Sequence, residues 1–176
     1  SVYAKALEGG RLTLEEGERL FACPDIHAVG SLARLARERL HGDKVHYVLN
    51  RHINYSNICV NDCLFCAFVR KEGEDGAFQR SMDEIVSGIA AEGHGLSEVH
   101  IVGGCHPELR LAFFLDLFKA LKRGRPEVAV KGLTAVEVAH LAALEGMETK
   151  SVLQELHSAG LAMLAGGGAE IFAPAT

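Results

Sequence analysis

The chain alternates strand-like and helix-like segments in series, and this constrains the fold more than any other feature. Short strand patterns recur near residues 50, 100, 130 and 163, and helical patterns separate them. Serial strand–helix alternation leads to a parallel sheet joined by right-handed crossovers. The first extended stretch covers 45–49 and 52–55, the second 98–102, the third starts at 128–130 and the fourth covers 161–164. Ser81-Met82-Asp83-Glu84 is a capping-box pattern and opens a helix to about Ala91. Residues 111–123 place Leu111, Phe114, Leu115, Phe118 and Leu121 on one helical face. Thr134-Ala135-Val136-Glu137 caps a further helix, and another runs over about 149–159, ended by Gly160.

Residues 1–44 read as a helical lead. Thr13-Leu14-Glu15-Glu16 is a capping box followed by apolar Leu20 and Phe21. Asp25 caps a second helix with Ile26, Val29, Leu32, Leu35, Ala36 and Leu40 at helical steps, and Gly42 ends it. The fold class is therefore α/β, with N-terminal helices followed by four β/α units over 45–176. A complete eight-unit barrel needs ~250 residues, so four units make the first half of a TIM-like (β/α) barrel. The alternative is a complete small four-stranded domain. As half a barrel, the chain is expected to leave a strand edge unpaired and to self-associate, and to be inactive by itself.

Composition narrows the function. Net charge is −5, aromatic residues are 6% and Trp is absent, which argues against electrostatic nucleic-acid binding and against an aromatic stacking surface. No signal peptide and no apolar run long enough for a membrane span is visible; it is the cysteine usage that points to the cytoplasm. The five cysteines are Cys23, Cys59, Cys63, Cys66 and Cys105; an odd count with three in eight residues suits a metal or redox site better than a disulfide framework.

Cys59-Val60-Asn61-Asp62-Cys63-Leu64-Phe65-Cys66 is a CxxxCxxC pattern. Three thiolates on one loop can each hold one iron of a cubane cluster, leaving the fourth iron open to a small chelating molecule. Zinc, with Cys105 or His106 as fourth ligand, is the alternative. The cysteine and glycine clusters follow strands, at the end of a β/α barrel where sites sit. Gly103 and Gly104 would let backbone approach a ligand, or simply turn the chain from strand to helix. Gly166, Gly167 and Gly168 open a helical pattern whose amides could receive a carboxylate, and Glu170 in its first turn either contacts a ligand or complements the helix dipole. Thr134 and Glu137 form a cap first and a cofactor contact second. His106 is either a proton donor or substrate ligand, or a residue that holds the turn before Pro107. Asn54 and Tyr55 lie at the end of the first strand, with Tyr55 a core candidate; Arg51 and His52 carry less signal, and Cys23 none. The charge runs 34–39 and 71–75 read as solvated surface.

The cysteine spacing resembles that of radical S-adenosylmethionine enzymes. Four stretches in order sharpen the likeness: Arg51–Cys59, Val99–Leu109, Lys131–Glu137 and Gly166–Pro174. Together they are similar to the aminofutalosine synthases of the futalosine route to menaquinone. Ala165 stands where that family usually has Pro, Cys105 where it usually has an apolar residue, and Lys131-Gly132-Leu133 where Lys-Ala-Phe is usual. The resemblance implies a [4Fe-4S] cluster on Cys59, Cys63 and Cys66, with S-adenosylmethionine as co-substrate chelating the open iron. It also implies Phe65 near the adenine, the Gly103-Gly104 segment at the methionine amino group, and an external electron donor. The implied reaction adds a 5′-deoxyadenosyl radical to the enol ether of 3-[(1-carboxyvinyl)oxy]benzoate. Attack on the ring, rearrangement and loss of the carboxyl group as bicarbonate then give 6-amino-6-deoxyfutalosine. The alternatives are a radical enzyme like cyclic dehypoxanthinylfutalosine synthase and a zinc-stabilised domain without catalysis.

Overall fold

A computed structural model of the chain describes residues 1–93 and 95–166. It divides into two compact units, Ser1–Tyr47 and a second that starts at Val48. The first holds α1 (Val2–Glu8), α2 (Leu14–Phe21) and α3 (Ile26–His41). Local chemistry starts and stops these helices. Thr13 and Glu16 form the expected reciprocal capping box, Asp25 accepts the Ala28 N–H, and Gly42 ends α3. The apolar stripe is only partly covered: Val29, Leu32, Leu35 and Ala36 are half-buried, while Phe21, Ile26 and Leu40 are exposed.

The second unit is a four-stranded parallel sheet in the order β1-β2-β3-β4: β1 (Asn50–Asn54), β2 (Glu98–Val102), β3 (Ala129–Gly132) and β4 (Leu161–Met163). Helices α4 (Met82–Ala90), α5 (Leu111–Gly124), α6 (Ala135–Glu145) and α7 (Thr149–Ser158) lie between the strands in sequence. The expected β/α series is present, with seven helices among the described residues. Two boundaries differ from the expectation. Residues 45–49 form no strand, because β2 begins only at Glu98; before the ladder, Leu49 offers just its carbonyl, to the Ser97 and Glu98 N–H groups. The fourth strand ends at Met163, after a register shift against β3.

Strand residues alternate between the two faces of a sheet. Val99, Ile101, Val130 and Leu161 are buried with Ile85 and Ile89 of α4, Phe114, Leu117 and Phe118 of α5, Val138 and Leu141 of α6, and Val152 and Leu156 of α7 in one apolar core. Burying a side chain of this size contributes roughly 1.5–3 kcal/mol, so this core dominates the stability of the unit. It also fixes the strand ends, and the connections that carry the glycines and cysteines leave from those ends. Among the described residues no helix is long and apolar enough to cross a membrane.

Candidate functional site

The cysteine loop follows β1 and is anchored by polar side chains buried at its base. Ser56 is fully buried; its Oγ donates to the Phe78 carbonyl and accepts the Ile58 N–H. Asn57 accepts the Phe78 N–H and donates to the Gly76 carbonyl. Backbone bonds from Cys59 N–H to the Arg70 carbonyl and from Arg70 N–H to the Asn57 carbonyl close the loop on itself. These groups replace the hydrogen bonds that a buried irregular segment would otherwise lose.

Lys71 clasps the loop from outside. Its Nζ donates to the carbonyls of Cys59 (3.1 Å), Val60 (3.3 Å) and Asn61 (3.3 Å), and pairs with Asp62 at 2.6 Å. The hydrogen bond to Asp62 raises the Lys71 pKa, which keeps the ammonium charged beside the thiols. The 71–75 run, read as solvated surface, is therefore corrected at Lys71. Three carbonyls converge on one ammonium, and no pattern in the local sequence announces that.

Gly103 and Gly104, at the end of β2, bring the loop against the sheet. A Cβ on Gly104 would stand 2.2 Å from the Ile58 carbonyl oxygen and 2.9 Å from the Cys59 Cβ. A Cβ on Gly103 would stand 2.7 Å from the Ser56 carbonyl oxygen and 2.8 Å from the Tyr55 ring. The space these glycines leave is filled by the chain leading into the cysteines. Just beyond, the Cys105 N–H donates to Cys59 Sγ (3.3 Å), and the Val60 N–H donates to the Cys105 carbonyl (3.0 Å).

Behind the glycines lies a buried acid. Thr134 Oγ1 accepts the Glu137 N–H, and Glu137 Oε2 accepts the Thr134 N–H, so the expected cap is formed. Glu137 reaches further than a cap requires. Its Oε1 accepts the Gly103 N–H at 3.0 Å and lies 2.7 Å from the Tyr55 hydroxyl. That hydroxyl is also 2.8 Å from the Gly104 carbonyl oxygen. One hydroxyl hydrogen serves one acceptor at a time. Burial raises the Glu137 pKa against the lowering effect of its hydrogen bonds, and burial with the adjacent Glu137 pushes Tyr55 well above its ordinary value. Tyr55, a core candidate by sequence, is thus a buried strut tying β1 to β2 and α6.

All five cysteines are free thiols. Among the described residues no three His, Cys, Asp or Glu side chains gather into a single-ion site. Cys105 and His106, the candidates for a fourth zinc ligand, each make structural contacts of their own. The Cys105 thiol accepts from Asn61 at 3.4 Å and is pushed up to about 12 by burial and the nearby Cys59. His106 Nδ1 accepts the N–H groups of Glu108 and Leu109, holding the turn at Pro107, and burial lowers its pKa. A cluster held by thiolates fits what is present. Three free thiols share one loop, one already accepts a backbone N–H of the kind that tunes cluster sulfurs, and the Lys71 ammonium lies near Cys59.

The remaining expected residues lie as follows. Phe65 is 92% exposed at the loop tip and Cys63 is exposed beside it. Arg51 pairs with Glu92 at 3.1 Å, and His52 Nε2 lies 2.9 Å from Asn54 Oδ1. Among the described residues, nothing comes within 4 Å of a Cβ placed on Gly166. Gly167, Gly168 and Glu170 lie outside the described residues. Ser56, Asn57 and Lys71 were not singled out by sequence, although all three shape the loop.

Comparison with known proteins adds findings of three kinds: a family match, curated relatives and a solved structure. Residues 53–167 match the Radical SAM superfamily. The chain is 43% identical to an aminodeoxyfutalosine synthase of Streptomyces coelicolor over 169 residues, 96% of this chain and 44% of that protein. It is 42% identical to an aminodeoxyfutalosine synthase of Thermus thermophilus over 170 residues, 96% of this chain and 46% of that protein. A cyclic dehypoxanthine futalosine synthase of Streptomyces coelicolor is 34% identical over 173 residues, 95% of this chain and 43% of that protein. The chain thus spans a little under half the length of these relatives. Among solved structures, methylornithine synthase superposes with a TM-score of 0.62 at 18% identity, over 93% of this chain and 57% of that one. That likeness speaks for the fold alone.

Proposed function

The chain belongs to the radical SAM superfamily, and from that premise we propose that it is the cluster-binding part of an aminodeoxyfutalosine synthase. One observation carries the reading: the chain is 42–43% identical over 96% of its length to two proteins of that name, against 34% to the cyclase.

When bound, a [4Fe-4S] cluster with S-adenosylmethionine supplies the 5′-deoxyadenosyl radical. Cys59, Cys63 and Cys66 are the residues to hold that cluster, each on a different iron. Lys71 keeps the loop closed by tying three of its carbonyls together. Gly103, Gly104, Tyr55 and Glu137 set the height of the loop above β2. Phe65, Thr134, Gly166, Gly167, Gly168 and Glu170 remain candidate contacts for the co-substrate. The substrate is 3-[(1-carboxyvinyl)oxy]benzoate, the product is 6-amino-6-deoxyfutalosine, and an external donor supplies the electron.

The test is anaerobic reconstitution of the full-length protein of which this chain is proposed to be a part, followed by incubation with S-adenosylmethionine, reductant and 3-[(1-carboxyvinyl)oxy]benzoate. The expected product is 6-amino-6-deoxyfutalosine by mass spectrometry. Turnover of dehypoxanthine futalosine in place of the enol ether would select the cyclase. Zinc without iron or sulfide after anaerobic purification would select the non-catalytic domain.

A further inference from the structure

The sheet face turned away from the helices carries a second group of chemically active side chains. Strand register places His52 of β1, His100 of β2, Lys131 of β3 and Met163 of β4 in one row. Adjacent strands stand ~4.8 Å apart, so the row holds two imidazoles and an ammonium side by side. The two rings meet edge to face with centroids 4.9 Å apart. His52 Nε2 is satisfied by Asn54 at 2.9 Å. His100 Nε2 is buried and has no hydrogen-bond partner among the described residues. A buried polar atom without a partner is uncommon and calls for a ligand or a water. The charged groups facing His100 are His52, Lys131 and Glu98; burial first, and then the two basic neighbours, lower its pKa, while Glu98 opposes them. Two basic groups flank His100 in its own row, and the Glu98 carboxylate of the neighbouring row makes no hydrogen bond to His100 among the described residues, so an anion would complete the row.

We infer that the His52–His100–Lys131 row is a binding site for the carboxylate of an aromatic or otherwise apolar acid. The row itself holds no arginine, and the two arginines that line a cavity with His52 are engaged elsewhere, Arg51 by Glu92 and Arg80 by the Asn54 carbonyl, so the bidentate fork that suits a phosphate dianion is missing. Met163 at its end and Val102 in the next row of the same face supply apolar contact. The inference deepens the proposed reaction, whose substrate carries two carboxylates, and rests on it for the aromatic part of the ligand.

The test is isothermal titration of the reconstituted protein with benzoate, benzamide and inorganic phosphate, in buffers of different ionisation enthalpy. An anion beside His100 raises its pKa, so benzoate binding takes up protons near neutral pH. That uptake is expected to disappear in His100→Gln. Lys131→Met is expected to weaken benzoate at least about tenfold, as for loss of one charge-assisted hydrogen bond, with iron content unchanged. Benzamide binding as well as benzoate, phosphate binding as well as benzoate, or proton uptake that survives His100→Gln would each overturn the site. The two readings fail separately. Benzoate binding in a full-length protein that does not convert the enol ether keeps the row and rejects the reaction. Turnover without benzoate binding keeps the reaction and rejects the row.

Discussion

Tyr55→Phe removes one oxygen atom and isolates the buried strut behind the glycine pair. The ring stays, so its edge-to-face contact with Phe114, at 5.0 Å between centroids, is retained. What is lost is the hydroxyl lying 2.8 Å from the Gly104 carbonyl and 2.7 Å from Glu137 Oε1. Glu137 Oε1 keeps the Gly103 N–H, whereas the Gly104 carbonyl has no other donor among the described residues. An orphaned buried acceptor costs about 1–3 kcal/mol. The substitution should therefore destabilise the second unit by about 1–3 kcal/mol.

The loss should also depend on pH in a definite direction. Burial holds the folded Glu137 pKa above its ordinary value of 4.5, and the tyrosine hydroxyl is one of the donors pulling it back down. Below that ordinary value both folded and unfolded states are protonated, and the linkage contribution vanishes. As pH rises above it the unfolded state ionises first, so stability falls until pH has passed the folded pKa. Without the hydroxyl the folded pKa moves higher still and the fall extends further. Urea unfolding followed by circular dichroism at pH 5 and pH 8 should give a larger deficit for Tyr55→Phe at pH 8. A deficit below about 0.5 kcal/mol and equal at both pH values would show that the hydroxyl is not tied to Glu137 and Gly104.

Three further outcomes are expected. Replacing Cys59, Cys63 or Cys66 by Ala should each abolish iron retention after anaerobic reconstitution, while Cys23→Ala leaves iron content unchanged; full loading after loss of Cys63 refutes the ligand assignment. Gly104→Ala forces a methyl group against the Ile58 carbonyl and should cost about 1–3 kcal/mol by overpacking, with iron retention reduced because Cys59 must move; unfolding and iron assays on the same sample read both effects. In the cluster-free folded protein at pH 8, iodoacetamide should label exposed Cys63 at least about tenfold faster than Cys105, because a buried thiol pushed up to about 12 offers little thiolate; peptide mass spectrometry measures the ratio.

Much of the fold was legible because the signals are local. The boxes at Thr13, Ser81 and Thr134 each pair a hydroxyl with a glutamate three residues on, and all three form. The apolar spacing of α5 predicted the face that holds Phe114, Phe118 and Leu121 in the core. The stretch over 45–49 looked equally strand-like, but a strand exists only where a partner runs beside it, and β2 starts too late to pair with it.

The site was legible in its donors and not in its supports, and the reason is distance along the chain. CxxxCxxC is visible because its three thiols lie within eight residues. The contacts that hold those thiols join residues far apart: Glu137 to Tyr55 across 82 positions, Glu137 to Gly103 across 34, and Cys105 to Cys59 across 46. Glu137 illustrates the difference most directly. Its short-range bonds to Thr134 explain why it starts a helix and would satisfy any local account of the residue. Only folding shows that the carboxyl group capping α6 also takes a glycine amide of β2 and a tyrosine of β1. Three strands' ends and the cysteine loop then share one buried acid, so a change at Glu137 should be felt at Cys59 through Gly104 without any direct contact between them.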